Sequence, residues 1–413
     1  MLKKIEDLVA DFLISNPKLK KMVKYYYQRF WDKITHVKDI DTECLVSEVS
    51  FLDKETFFGY YDKYPENNKG YLLFHAADKT SLNPRSFSCI DIVLFDPNSD
   101  KVLYSAKTGA FNWQQGARLH WLDESHFCYN DYCPDKDDYI TVLVSIDGYK
   151  SFRFNNAVAD SFDLERGYLS FSYKILSDYR PDYGYFSHSN SEDKAVAIYH
   201  CYFDLEKDPE EILNANIVLK YLNLYEYDHY KFNHIMISPD KSGFVVLFRV
   251  YKGGVRHDYL CYFSLSDSCL KVFDTGRIVS HFTWINDTQL VSYLEAKDGN
   301  KKYYKLDVTN MSVSPIKSDS MLTIVDGHPS SSNGYIISDT YPDRKRQKTL
   351  YFLDVNDGST KTVAKFYEST DFFAENRCDL HPRLKVQNGK FICYVDSVHS
   401  GKRKLYRLEG YAR

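Results

Sequence analysis

The sequence predicts an all-β fold, a seven-bladed β-propeller with an N-terminal helical extension. Three observations carry this. Beyond about residue 45, short apolar runs alternate with turn signals roughly every eight to twelve residues, the rhythm of a chain of short strands. A larger unit recurs about every 45–55 residues, long enough for four strands, which is the period of propeller blades. The segment Leu45 to Phe51 reads as a spare strand near the start, while the last unit is one strand short. Closing the ring with that strand completes the last blade and removes two exposed edges.

Residues 1–40 differ from the rest and form the extension; the propeller spans 45–413. Leu2, Ile5, Leu8, Val9, Phe12 and Leu13 recur at helical spacing, as do Leu19, Met22, Val23, Tyr26 and Phe30. Pro17 separates two helices, with Ser15 and Asn16 ending one and capping the next. The second is basic: Lys18, Lys20, Lys21, Lys24, Arg29 and Lys33 stand against Asp32, with Tyr25, Tyr26, Tyr27, Phe30 and Trp31 interleaved. It reads either as a helix packed on the propeller or, through residues 18–33, as a surface that docks on an anionic membrane or a protein.

The repeat resolves into seven units, roughly 53–107, 108–156, 157–222, 223–276, 277–320, 321–367 and 368–413. Many close on a strand, an Asp and a turn, as at Leu94-Phe95-Asp96, Ser145-Ile146-Asp147 and Phe352-Leu353-Asp354. Outside the N-terminus, a helical turn is expected at Pro209 to Leu213. Tyr and Phe, 36 and 27 of the 413 residues, suit pleated surfaces and their cross-strand pairs.

The composition is that of a folded chain, 44% hydrophobic and 27% charged. A net charge of −4 argues against general nucleic-acid binding. The nine cysteines include no Cys-x-x-Cys and read as reduced thiols of a cytoplasmic protein. No apolar run reaches the roughly 18 residues of a membrane span, and Leu8 to Ile14, interrupted by Asp11, makes no secretory signal. The expected location is the cytoplasm, at the inner face of the membrane if the basic helix docks there.

One pattern points to chemistry. Val325 to Asp343 holds a His-Pro, a polar turn with Asn-Gly, an apolar run and Asp339 closing that run. The same order returns at His381-Pro382, Asn388-Gly389 and Asp396. It returns again at His234, Ser238-Pro239-Asp240 and Arg249, and more weakly at His281 with Trp284 and Asn286-Asp287. His234, His281, His328 and His381 therefore stand at one repeat position in four consecutive units. In a propeller, equivalent loops converge on the mouth of the central channel. Imidazoles gathered there suit a transition metal or general-base chemistry. Asp326 and Asp379, each two residues before a His, can ligate or hold an imidazole tautomer. Alternatively, each His caps a turn by bonding a backbone carbonyl. Cations cluster on the same loops: Arg249, Arg256, Arg344, Arg346, Arg377, Arg383 and Arg403, with His399 nearby. Tyr61, Asp62, Gln115 and Arg118 stand where the first two blades begin. Arg forks in an aromatic-lined mouth suit carboxylates, hence acidic sugars. Arg346 and Arg403 read better as structural ion pairs.

At these residues the chain resembles the oligogalacturonate lyase family, seven-bladed propellers akin to the TolB and WD40-like repeat propellers. The carrying motifs are Phe232 to Asp240, Ser280 to Asp287, Asp326 to Ser330 with Asp339, and His381-Pro382 with Asp396-Ser397. Gln115-Gly116, Arg118 and Trp121 add to them. The likeness covers most of residues 50–410 and leaves out the first 35. It implies β-elimination on a uronate-containing oligo- or polysaccharide, assisted by a divalent metal, usually Mn2+. Carried over by position, His281, His328 and His381 resemble metal ligands and His234 the base. Arg249 or Arg256 would hold the substrate carboxylate, and Tyr61, Asp62, Gln115, Arg118, Arg344, Arg383 and His399 would line the sugar site. The family's metal site uses a closely spaced Gln with two His; this chain has Asp326 and His328 there. The competing expectation is a propeller without catalysis, a glycan-binding or scaffolding module in bacterial surface-polysaccharide biosynthesis. A serine-peptidase propeller is disfavoured, since the chain has no Gly-x-Ser-x-Gly elbow.

Overall fold

The structure, a computed structural model, describes residues 17–35, 39–80, 89–179, 183–185 and 195–412. Seven antiparallel sheets follow one another along the chain as the blades of a propeller. Their first strands are Glu55–Phe57, His120–Trp121, Val158–Asp163, His229–Ile237, Val279–Trp284, Ser330–Ser332 and Arg383–Gln387. Their last are Lys101–Thr108, Lys150–Asn155, Glu210–Asn214, Cys269–Val272, Ser312–Pro315, Thr360–Tyr367 and Lys404–Tyr411. Leu45–Val49 pairs antiparallel with Lys404–Tyr411, Leu45 opposite Glu409, and gives the seventh blade its fourth strand. Asp41–Thr42 adds a fifth strand to blade six by pairing with Lys365 and Ala364.

Burial explains the sequence texture. The second strand of blade one, Leu72–Ala77, is buried throughout, whereas its last strand, Lys101–Thr108, is largely exposed. A middle strand packs against neighbouring blades on both faces, so it reads as an unbroken apolar run. An outer strand meets solvent and tolerates Lys and Glu. The nine cysteines are free thiols, five of them buried.

Helix α1, Pro17–Thr35, lies outside the ring. The first expected helix, Leu2 to Leu13, falls outside the described residues. The Thr370 N–H and hydroxyl donate to the Asp32 carboxylate at 3.2 and 2.5 Å, and the Tyr367 hydroxyl donates to the Asp32 carbonyl. Arg29 lies 3.6 Å from Asp371. Two short helices lie within blade three, α2 (Tyr173–Tyr179) and α3 (Ala215–Tyr221). The expected helical turn at Pro209 to Leu213 is corrected: Glu210–Asn214 is a strand paired with Ala197–Cys201. Glu210 and Glu211 face solvent on an outer strand there, and the helix begins just after it, where the Asn214 side chain caps the Ile217 N–H at 3.0 Å. Among the described residues, no helix is long and apolar enough to cross a membrane.

Candidate functional site

The inner strands are irregular where they reach the channel mouth. Register shifts interrupt pairing between Val158 and Asp160, between Asn233 and Ile235, and between Val279 and Phe282. Arg118, His234 and His381 have left-handed backbones, with φ of 54°, 49° and 44°. A bulge re-aims one side chain out of the alternating pattern, here toward the axis. The histidines of four blades thereby converge: the ring centres of His281 and His328 are 4.1 Å apart, and those of His328 and His381 are 4.4 Å apart.

The channel beneath them is filled. After Glu55–Phe57 the chain turns inward at Phe58 to Lys63 before rejoining the blade, and Tyr61 comes to rest among the histidines. Its ring lies between 5.6 and 6.2 Å from those of His234, His281, His328 and His381. Its hydroxyl donates to the Phe282 carbonyl at 3.1 Å and accepts from the Phe282 N–H. Gly59 permits this excursion. Its φ is +116°, and a Cβ there would stand 2.6 Å from the Gln115 carbonyl carbon. Asp396 accepts the Phe58 and Gly59 N–H groups at 3.0 and 3.1 Å, and Arg383 binds both Asp396 and the Gly59 and Tyr60 carbonyls.

At the mouth each imidazole has one nitrogen assigned. His328 Nδ1 is 2.9 Å from Asp339, which also accepts the His328 and His381 backbone N–H groups. His381 Nδ1 donates to the Gly59 carbonyl at 2.9 Å. His281 Nδ1 is 3.2 Å from Asp326, itself bonded to Ser280. The Nε2 atoms of His328 and His381 are buried and lack a hydrogen-bond partner. Burying such an atom unpaired is unfavourable. Ligand atoms of His328, His381 and Asp379 lie within 4.8 Å of one another. Asp379 accepts from Arg377 Nε at 2.8 Å, with the Lys348 ammonium 3.9 Å away. Burial opposes ionisation of Asp379, but Arg377 and Lys348 outweigh it and hold the carboxyl well below its usual range. Burial, then the neighbouring His328, pushes His281 down to about 4 and His381 well below its ordinary value. For His328 burial acts in the same direction but Asp339 wins, so its value is raised. Imidazoles with Nδ1 tethered, two of them with Nε2 unpartnered, beside an ionised carboxylate make a donor set that fits a divalent transition metal, which would displace any proton on His328.

Of the residues expected at the site, the structure brings His281, Asp326, His328 and His381 together. Asp326 serves His281, and Asp379 takes the place beside His328 and His381. The other expected site residues make contacts within the protein. The His234 side chain, 2% exposed like that of His328, stacks on Phe282 and lies 3.4 Å from Asp62. Asp62 and Arg118 form a bidentate buried pair at 2.8 and 3.0 Å, and Arg118 also donates to the Ala159 carbonyl. Arg249 and Arg256 both pair with Asp258, at 3.3 and 3.0 Å. Arg383 is the buried clamp described above. Gln115 is buried in the turn whose N–H groups Asn112 accepts. His399 packs between Phe366 and Tyr406 and bonds Ser397. These groups are engaged within the ring and its plug, although both ring nitrogens of His234, Arg249 Nε and one Nη of Arg383 make no hydrogen bond. Arg344 is exposed on the connection that carries Tyr341. Arg346 pairs with Glu368, whereas Arg403, read as an ion pair, instead donates to the Trp113, Asn376 and Arg377 carbonyls.

Asp379, read as able to ligate or tether, and Arg377, read in the cation cluster, stand at the mouth; the residues missed there are Asp339, Tyr183 and Tyr341. Arg377 lies over the Tyr183 ring at 5.6 Å and donates to its hydroxyl, with 22% of its side chain exposed. The Tyr341 ring is 5.7 Å from that of His328. Asp339 had a signal, as the acid that closes the repeated sentence; Tyr183 and Tyr341 had none beyond a Tyr-rich composition. A groove of about 970 Å³ lies elsewhere, between Asn67–Gly70 and the turn at Asn388, at the opposite end of Arg383–Gln387 from His381. The orphaned imidazole nitrogens, not cavity size, mark the candidate site.

No protein-family model and no curated protein matches the sequence. Solved structures do match by shape. A manganese complex of oligogalacturonate lyase superposes with a TM-score of 0.57 at 15% identity, over 90% of this chain and 95% of that one. The oligogalacturonate lyase of Vibrio parahaemolyticus gives 0.55 at 14% identity, over 90% and 96%. The propeller domain of the Trilobed protease from Pyrococcus furiosus gives 0.50 at 10% identity, over 87% and 98%. Lyase and protease propellers lie side by side in this comparison, so what it establishes is the architecture: this chain is a β-propeller whose shape is similar to that of the oligogalacturonate lyases.

Proposed function

We propose that the protein is a metal-assisted lyase that cleaves a uronate-containing oligo- or polysaccharide by β-elimination at the histidine mouth. The carrying observation is the pair of buried, unpartnered Nε2 atoms on His328 and His381 beside ionised Asp379. These three residues would hold a divalent ion, with Mn2+ the choice suggested by the manganese complex of the similar lyase. Such an ion, when bound, acts as a Lewis acid that draws charge from a uronate carboxylate and acidifies the adjacent C–H.

Arg377, 22% exposed and bonded to Asp379 and Tyr183, adds positive charge at the rim that attracts the uronate carboxylate. Tyr341, 37% exposed, offers its ring to the sugar. His281, held neutral by burial and tethered through Nδ1 to Asp326, is the base in place of His234. Its Nε2 takes the proton from the carbon next to the carboxylate. The electron pair left behind forms the carbon–carbon double bond, the glycosidic C–O bond breaks, and the departing oxygen takes a proton from solvent.

The test is elemental analysis of the purified protein beside His328→Ala and His381→Ala, followed by uronate oligomers and the ultraviolet absorbance of the unsaturated product. About one transition-metal ion per chain, lost in both variants, with absorbance that requires His281, supports the reading. No metal after soaking sinks the metal-assisted lyase. Metal without product assigns the mouth to glycan binding.

A further inference from the structure

We propose that α1 docks the protein on an anionic lipid surface. In the sequence of Pro17–Thr35, Lys18, Lys20, Lys21, Lys24, Arg29 and Lys33 are basic and Asp32 alone is acidic. The apolar residues form a stripe at four-residue spacing. Met22, Tyr26, Phe30 and Ile34 are 50, 64, 58 and 59% exposed, with Val23 and Tyr27 beside them at 37% each. A helix that belongs to a core hides such a stripe. Here the polarity is reversed: the acid faces the protein and the stripe faces out. Asp32 is used by Thr370, and Arg29 reaches toward Asp371. The anchor therefore consumes the negative charge and leaves the apolar stripe on the outside.

Charge selects the occupant. Two copies meeting through this stripe would bring two sets of cations together, which costs free energy. A bilayer with acidic headgroups takes the apolar stripe at its boundary and attracts the lysines. The attachment also has a direction. Thr370 and Asp371 lie on the connection from Thr360–Tyr367 to Arg383–Gln387, which goes on to Arg377, Asp379 and His381. Seating α1 on lipid holds that edge of the mouth near the membrane. The docking proposal stands whatever the mouth does.

The experiment is co-sedimentation of the full chain with vesicles of phosphatidylcholine alone or mixed equally with phosphatidylglycerol. Two triple variants are compared with wild type, Tyr26→Ser/Phe30→Ser/Ile34→Ser and Lys20→Glu/Lys21→Glu/Lys24→Glu. The substituted apolar side chains are exposed, and an unchanged unfolding midpoint verifies that each variant is folded. The expected result is binding to the mixed vesicles that weakens with salt and falls about tenfold or more in each variant. Absent or unselective binding, or binding retained in either variant, overturns the proposal. Stripe-dependent dimerisation without vesicle binding overturns it too and gives the stripe to a second copy; a null on both counts is what coverage by residues 1–16 would give.

Discussion

Two sides of the same channel end are built from the same repeat and finished differently. On the side of blades one to four, Asp62, Arg118 and His234 meet over a buried pair, and Lys63 binds Asp160, whose other oxygen accepts the Ile237 N–H at 2.7 Å. On the side of blades five to seven, His281, His328 and His381 each spend one nitrogen on the protein, and two of the remaining nitrogens are orphaned. The first side is held by charge pairs, with His234 3.4 Å from Asp62 though neither of its ring nitrogens makes a hydrogen bond. The second is left incomplete, and an unpaired buried acceptor persists where a ligand completes it. Repeat position thus tells where a side chain arrives; what its polar atoms meet tells whether it stabilises or acts.

The strongest test of this contrast is Asp62→Ala. Arg118 would remain buried without its carboxylate, which costs about 3–5 kcal/mol; denaturant unfolding measures it. A loss comparable to that of a surface substitution would erase the distinction. On the other side, Asp339→Asn leaves His328 in place but weakens the tether on Nδ1. Metal affinity should fall about 10–100-fold while the unfolding midpoint moves little, and metal titration of the folded variant reads the difference.

A third test concerns a histidine wholly inside the structural half. His75 is fully buried, accepts the Ala117 N–H at 3.0 Å, and is pushed down to about 3 by burial. Its folded value lies below its unfolded value, so between pH 6.5 and about 3 the unfolded chain binds a proton that the native protein refuses. Stability therefore falls as pH drops through that window, by up to about 1.4 kcal/mol per unit from this group. In His75→Gln the slope of unfolding free energy against pH should flatten by that amount; an unchanged slope would mean that the site admits water or a charge. The smallest effect is expected for Arg256→Ala. Its side chain is 33% exposed and Asp258 keeps Arg249, so the cost should stay below about 1 kcal/mol by the same unfolding assay.

Helix α1 shows the limit of reading a face from periodicity. Met22, Tyr26 and Phe30 at four-residue spacing announce an amphipathic helix equally well whether the stripe points in or out. Asp32 decides the orientation, and its partner Thr370 is remote in sequence. The strand at Glu210–Asn214 teaches the same about a short element: two glutamates after a Pro suggest a helical start, but pairing with Ala197–Cys201 overrides that preference.

Sequence alone determined the architecture, because its signals are local. Apolar runs, turn dipeptides and the unit length survive in any stretch of the chain, so seven blades, the boundaries near them and four histidines at one repeat position were legible. The identity of the site was decided by tertiary structure. Asp339 reaches His381 across blades, Arg383 reaches Gly59 from the far end of the chain, and Asp62 meets Arg118 and His234 from three blades. Whether a buried charge is neutralised depends on atoms within a few ångströms that lie tens to hundreds of residues apart. No periodicity records that, so Arg118, Arg249 and Arg383 looked like binding groups until their partners were seen, and the spacing that made Asp379 a possible ligand did not say which imidazole nitrogens it would meet.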